Sequence, residues 1–539
     1  MTKKKKPLQK KPASKKRGVL YLLLFSLIVI GIAGIYLIRN AEDLAKNLLI
    51  NQINEQLAPH AEIEIEAFSF SVRPAAITLR NANIVHTTPF DEIEPVRRTD
   101  SIRLFELNQA SVEGVNLFRL LVRRQWSLGS FTVDGLNIEV VSFPNDIDDG
   151  NNDGPFVFPL YVAETVLKNS NFAYYRDRAE TSHAFKSSNI SATVSGISFS
   201  EPNAPVHTFF NTIAFSTDML SYITEDGLYQ VHLYDVDADT AEETFRFSKA
   251  ELIPQKTATQ IARERGFQSD QYNFTAGPVK ASGVNQRSWF ENEELKLTSL
   301  IIENLDILIN RDKTYPREER GHRQLPQQQF LDLPFVVSAD TIKWNHGSIR
   351  YIEKYPQEGR EGEISFFDVD VTIHGLQNYS RDDSVRVRAA ANFLNEVPIE
   401  VNYLFSVREN AGHSVSGYMG GFNMEMLNPI IENMAAKQIR SGILNEFRFN
   451  FHANEYTSNG SLQMIYNDLE LRFLDEESLE ETRSRRLRSF FANRLRVRSE
   501  NERDNPREGT IDFERDIERS IFNYWWRSVL SGIEDVVIR

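Results

Sequence analysis

The residue types that usually carry chemistry are sparse and scattered in this chain. There is no cysteine among its 539 residues, which removes thiolate metal sites, cysteine nucleophiles and disulfides. The ten histidines show no His-Glu-x-x-His or other ligand spacing, and isolated histidines are far more often surface or core residues than ligands. No Gly-x-Ser-x-Gly, P-loop or dinucleotide fingerprint lies in a strand–helix context. Carboxylates abound, but spacing alone pairs none of them for acid–base work. The expectation is a protein that is not an enzyme, with no cofactor and no metal. One stretch is metal-like. Asp149-Gly150-Asn151-Asn152-Asp153-Gly154 matches the first half of a calcium loop. The position for the bidentate Glu is Leu160, and Pro155 interrupts, so a solvated turn is the better reading.

What the sequence offers instead is apolar surface at strand spacing. Phe131, Val133, Ile138, Leu300, Ile302, Ile307, Phe447, Phe449, Phe451, Leu469 and Leu471 alternate with polar residues, as half-buried strands do. Such positions fit a closed core. They also fit a channel for acyl chains, where each buried methylene is worth about 0.8 kcal/mol. Trp525 and Trp526 lie in a C-terminal amphipathic stretch. Aromatic rings suit a membrane interface, but the acids Glu514, Asp516, Glu518, Glu534 and Asp535 favour a lid packed on the last sheet.

The elements that hold these residues begin with a basic tail. Residues 1–17 carry nine Lys/Arg and no acid, so a net −14 overall leaves −23 on the rest. An acidic body argues against nucleic acid as a partner. Gly18 to Ile38, including Leu24 and Ile30, is 21 residues without a charge, about 31 Å as a helix. That matches a bilayer core, and the basic tail predicts an uncleaved signal anchor with the N-terminus inside. Residues 39–61 read as an amphipathic connector helix stopped at Pro59.

From Glu62 a phrase recurs: a β-run, a Gly/Asn break, another β-run. Examples are Val112-Glu113-Gly114, Val133-Asp134-Gly135, Leu167-Lys168-Asn169, Ile302-Glu303-Asn304 and Trp344-Asn345-His346-Gly347. Gly and Asn supply the positive φ of a bulge or bend. Residues 112–140 align with 281–309 without a gap at an offset of 169, and later segments align at 176, 177 and 179. This predicts two β-modules, 62–250 and 268–408, joined by a linker helix over 251–267. A C-terminal sheet with a helix follows over 409–475, with that helix running from Asn428-Pro429 to Gly442 and a turn at Ser458-Asn459-Gly460. A charged linker (476–510) and an amphipathic terminal helix (511–539) complete the chain.

The chain resembles the AsmA-like family of bacterial envelope proteins, related to the TamB group. The resemblance rests on the anchor with its Leu-rich helix, the recurring phrases, Leu333-Pro334-Phe335 leading into Ala339–Tyr351, and Leu427-Asn428-Pro429 with Tyr466-Asn467-Asp468-Leu469. It implies a mainly β protein with an N-terminal transmembrane helix. Its body would be a duplicated, elongated antiparallel β-sheet curled into an open groove, with few short helices. It further implies a single-pass inner-membrane protein with a periplasmic body. Membrane lipids would be its partners, in phospholipid transport or outer-membrane biogenesis. The alternative is a non-catalytic scaffold for outer-membrane proteins, partnered by outer-membrane or periplasmic assembly proteins.

Overall fold

The computed structural model describes residues 46–538 apart from 48, 73–74, 95–97, 117–125, 143–159, 179–182, 200–207, 319–320, 357–359, 380–383, 407–411, 436 and 475–496. The basic tail, the anchor (Gly18, Leu24, Ile30 and Ile38 included) and the Asp149–Gly154 loop lie outside them. No helix among the described residues is long and apolar enough to cross a membrane.

The chain is mainly β, and among the described residues 23 strands form one mixed sheet. The first eight are β1 (Ala61–Val72), β2 (Ala75–His86), β3 (Ile102–Glu113), β4 (Trp126–Val141), β5 (Leu160–Tyr175), β6 (Phe185–Phe199), β7 (Thr212–Ile223) and β8 (Tyr229–Asp239). Three interrupted strands come next: β9 (Thr244–Phe247) with β10 (Lys249–Pro254), β11 (Asp270–Ala276) with β12 (Val279–Ser282), and β13 (Glu294–Glu303) with β14 (Asp306–Asp312). Then come β15 (Val336–Lys354), β16 (Glu361–Gln377), β17 (Ser384–Phe393), β18 (Val397–Ser406), β19 (His413–Met419) and β20 (Phe422–Asn423). The last are β21 (Lys437–Ala453), β22 (Thr457–Phe473) and β23 (Glu508–Glu514). Each strand pairs with its neighbours in the chain, so the sheet grows in sequence order through nineteen ranks. At about 4.8 Å per step, the path across it is about 86 Å long. The sheet is not wholly antiparallel. β4 pairs parallel with β5, and β13 and β14 pair parallel with β15, because in each case the connection returns to the end where the previous strand began.

Strand registers recur along the chain. Val112–Phe131, Ala110–Val133 and Phe105–Ile138 are partners, and so are Ala281–Leu300, Val279–Ile302 and Phe274–Ile307, each 169 residues on. The bulges at Leu167, Ser170 and Phe172 fall 177 residues before those at Trp344, Gly347 and Ile349. Ile65–Ala82 recurs as Leu233–Ala250, 168 residues on. The second set of registers therefore starts at β8, upstream of the expected 268. The helix expected as a linker, α1 (Ala258–Arg265), lies inside that set between β10 and β11. Pairing partners set this boundary, and composition does not report them.

The Gly/Asn breaks do what their residue types predict. Asn81, Gly114, Gly135, Asn169, Gly196, Asn304, His346 and Gly375 all have φ between 50° and 70°, a region costly for most side chains. Amide–carboxylate bonds stitch the breaks across ranks: Asn169 Nδ2 to Asp134 Oδ1 (2.8 Å), Asn345 Nδ2 to Glu303 Oε1 (3.0 Å) and Asn392 Nδ2 to Asp368 Oδ2 (2.9 Å).

The C-terminal region departs from expectation in three places. Helix α4 (Asn428–Ala435, after α2, Gln286–Asn292, and α3, Pro326–Leu331) ends before Ile439 and Gly442, which lie in β21. The turn falls at 454–456, where the Asn454 side chain accepts from the Tyr456 and Thr457 amides (2.7 and 2.9 Å), and Ser458–Gly460 pair within β22. Residues 508–514 form β23, so the terminal helix α5 is Ile521–Val537, capped by Ser520.

Helix α4 bridges separate ranks of the sheet here. α4 is held to β21 by Asn428, which accepts from Ile439 N and donates to its carbonyl (2.7 and 2.8 Å), and to β16 by Asn433, which donates to the Glu361 carbonyl (2.7 Å). β16 and β21 are four ranks apart.

Candidate functional site

The apolar positions meet across the sheet. Partner by partner, one row runs Phe68–Leu79–Ala110–Val133–Leu167–Ala192–Phe215–Ala238–Phe245 from β1 to β9. It continues Ala281–Leu300–Ile342–Ile373–Val387–Tyr403 to β18 and ends Val415–Phe451–Gly460–Ile511 at β23. No charged or hydrogen-bonding polar side chain other than the Tyr403 phenol interrupts it. A second row runs Ile102–Val140–Tyr174–Phe185–Tyr222–Val231–Leu252 and then Phe274–Ile307–Ile349–Phe366–Phe393–Val397.

Both rows occupy one face. On β17 their members Val387 and Phe393 are six residues apart with no bulge, so their side chains point the same way. On β16 the members Ile373 and Phe366 are seven apart, an odd spacing that would oppose them. The register shift between Phe367 and Asp370, where Asp368 has φ 49°, inserts the residue that restores parity. The break in β16 thus keeps its two apolar runs on the same side.

This face is dressed differently along its length. From β1 to β18 the first row is half-buried at every position except Ala281, although nearly all of its strands are interior to the sheet. From β19 onward Val415, Phe451 and Ile511 are fully buried. The cause is α5, whose Ile521, Tyr524, Val536 and Val537 join them in one cluster. Trp525 lies on Tyr403 at 4.6 Å between ring centroids, and its indole N–H donates to His413 Nε2 at 2.9 Å. The β14–β15 crossover reaches the same cluster: Leu325 is fully buried in it, and Arg323 N donates to the Ile517 carbonyl (2.8 Å). At the other end, helical residues Leu49, Ile50 and Ile53 pack on Ile63, Ile65 and Ala82.

The candidate residues divide accordingly. Phe131, Val133, Ile138, Leu300, Ile302 and Ile307 are half-buried on the face. Phe447, Phe451 and Leu469 are buried in the C-terminal cluster, with Phe449 and Leu471 packed against it; these five belong to a closed core. Trp525 is part of the lid, whereas Trp526, one residue on, is 57% exposed.

A charged margin that periodicity did not reveal bounds the face. Continuing outward at alternate positions, Ile307 leads to Arg311 and Ile349 to Glu353. Arg311 makes a bidentate pair with Asp270 (2.6 and 2.5 Å). Glu353 accepts from Lys313 (2.6 Å), Tyr355 (2.5 Å) and Tyr351 (2.9 Å). Burial alone would raise the Glu353 pKa, but these donors, Lys313 first, hold it below the ordinary carboxylate value. Spacing in the sequence carries no hint of this cluster, because its members come from β11, β14 and β15 and from the residues that follow β14 and β15.

Compared with known proteins, the chain matches no family model and no curated protein.

Proposed function

We propose that this is an AsmA-like envelope protein, anchored in the bacterial inner membrane by residues 18–38 with its body in the periplasm. In this reading the two sets of registers are a duplication, and the elongated sheet curls into an open groove for lipid acyl chains. Its role is phospholipid transport or outer-membrane biogenesis, without catalysis. One observation carries it: an apolar row that crosses every rank yet stays half-buried, Ala281 apart, as far as β18. Apolar area left in water forgoes about 25 cal/mol per Å², and acyl chains lying along the row recover it. Phe131, Val133, Ile138, Leu300, Ile302 and Ile307 line the groove, and the α5-covered cluster is its closed end.

The scaffold reading rests on a different feature. Among the described residues β1 pairs only with β2, and an outer strand edge can receive a partner's strand. A photo-crosslinking residue at Leu300, and another at its outward neighbour Ile301, separates the two in the full chain. Lipid adducts are expected at 300 and not at 301. Equal labelling at both, or no lipid at 300, sinks the groove. A barrel strand trapped along β1 without lipid supports the scaffold instead.

A further inference from the structure

We propose that one rim of the sheet is an edge that docks on a zwitterionic bilayer. The strands run between two rims. The rim in question carries the end of β1, the starts of β2, β4 and β5 and the end of β3, and continues to the start of β22 and the end of β23. Among the described residues seventeen large apolar side chains are exposed, and twelve lie at or near this rim. That bias is too strong for scattered surface apolars, which need no explanation when single. Aromatic rings lead: Trp289 (42%), Phe290 (45%), Tyr379 (58%), Tyr456 (56%), Phe522 (73%) and Trp526 (57%).

Local structure presents them. α2 is a short helix capped by Asn285, whose side chain accepts from Ser288 N at 3.0 Å, and it sets Trp289 and Phe290 at the mouth of β13. Trp289 meets Phe335 edge-on at 5.6 Å and Phe290 meets Phe210 at 6.4 Å, so the rings are held by other rings and still face water. α5 starts at the same rim and buries Tyr524 while turning Phe522 and Trp526 outward.

Three features select a bilayer as the occupant. Rings that are part wet and part apolar suit the headgroup–acyl boundary. From β5 to β23 the line crosses fourteen steps, about 67 Å, about twice the roughly 30 Å width of an ordinary protein contact of about 800 Å² per partner. The rim also borders the apolar face, so the two surfaces are continuous. The charges beside the rings are mixed and nearly balanced, with Glu291, Glu293, Asp332, Asp516 and Glu518 against Arg287, Arg317, Arg519 and Arg527, and several of them are paired with one another. Aromatic insertion, not attraction to anionic headgroups, then drives docking. This holds whether or not the apolar face carries lipid.

The absence of cysteine makes the test direct. Phe290→Cys and Phe522→Cys at the rim, with Val85→Cys and Ile443→Cys away from it, are labelled with a polarity-sensitive fluorophore. The full chain is reconstituted in phosphatidylcholine vesicles bearing brominated acyl chains. At 290 and 522 we expect a blue shift and at least about threefold more quenching than at 85 and 443, unchanged between about 50 and about 500 mM salt. Equal quenching at all four sites overturns the proposal. So does water-like emission at 290 and 522, or a response that needs phosphatidylglycerol and disappears in salt.

Discussion

At residue scale, backbone conformation ties the sequence to the face it builds. Asn304 sits at φ 50° between β13 and β14, at the break that keeps Leu300 and Ile307 on one side. Asn304→Gly is expected to leave stability nearly unchanged, while Asn304→Val costs about 1–2 kcal/mol, measured by chemical unfolding; equal effects would remove the conformational argument. These breaks were legible from Gly and Asn, with one instructive exception. In Trp344-Asn345-His346-Gly347 the positive φ falls on His346. Gly347 is there for another reason: a Cβ would lie 2.3 Å from the Leu305 carbonyl oxygen and 2.0 Å from Trp344 Nε1. Close approach is a tertiary property, so residue type alone could not separate the two uses of glycine.

At element scale, α5 decides where the face is closed. The apolar side of the terminal helix was readable from its period, and so was the ambiguity of its tandem tryptophans. Structure separates them by one step of about 100° around the helix. Trp525→Ala removes the Tyr403 contact and the bond to His413 and is expected to cost about 3–5 kcal/mol; Trp526→Ala is expected to stay within about 0.5 kcal/mol. Thermal unfolding of the two variants checks this, and similar melting points would mean that α5 is not held as described. The start of the helix was misplaced, although Ile511 and Phe513, two residues apart, follow the strand period and not the helical one. Only pairing with Gly460 and Ser458 of β22 makes 508–514 a strand.

At the scale of the molecule, stability is distributed unevenly. Among the described residues the larger buried cluster lies under α5, and a smaller one lies beside β1 and β2. Amide exchange should therefore be slowest in β21–β23 and faster through β4–β14, since local opening follows the loss of few buried contacts; uniform protection would contradict this. The sequence by itself determined the strands, the positive-φ breaks, the internal offsets and the alternation that makes one side of each strand apolar. These are properties of residue type and local period, written in consecutive residues. Only the tertiary structure decided which strands pair parallel, where the second set of registers starts, and that alternating residues from nineteen ranks join in one row. It alone decided that α5 and Leu325 cover one end of that row while the rest stays half-exposed. Those outcomes depend on contacts between segments tens to hundreds of residues apart, and no local pattern encodes which distant segment will supply the cover.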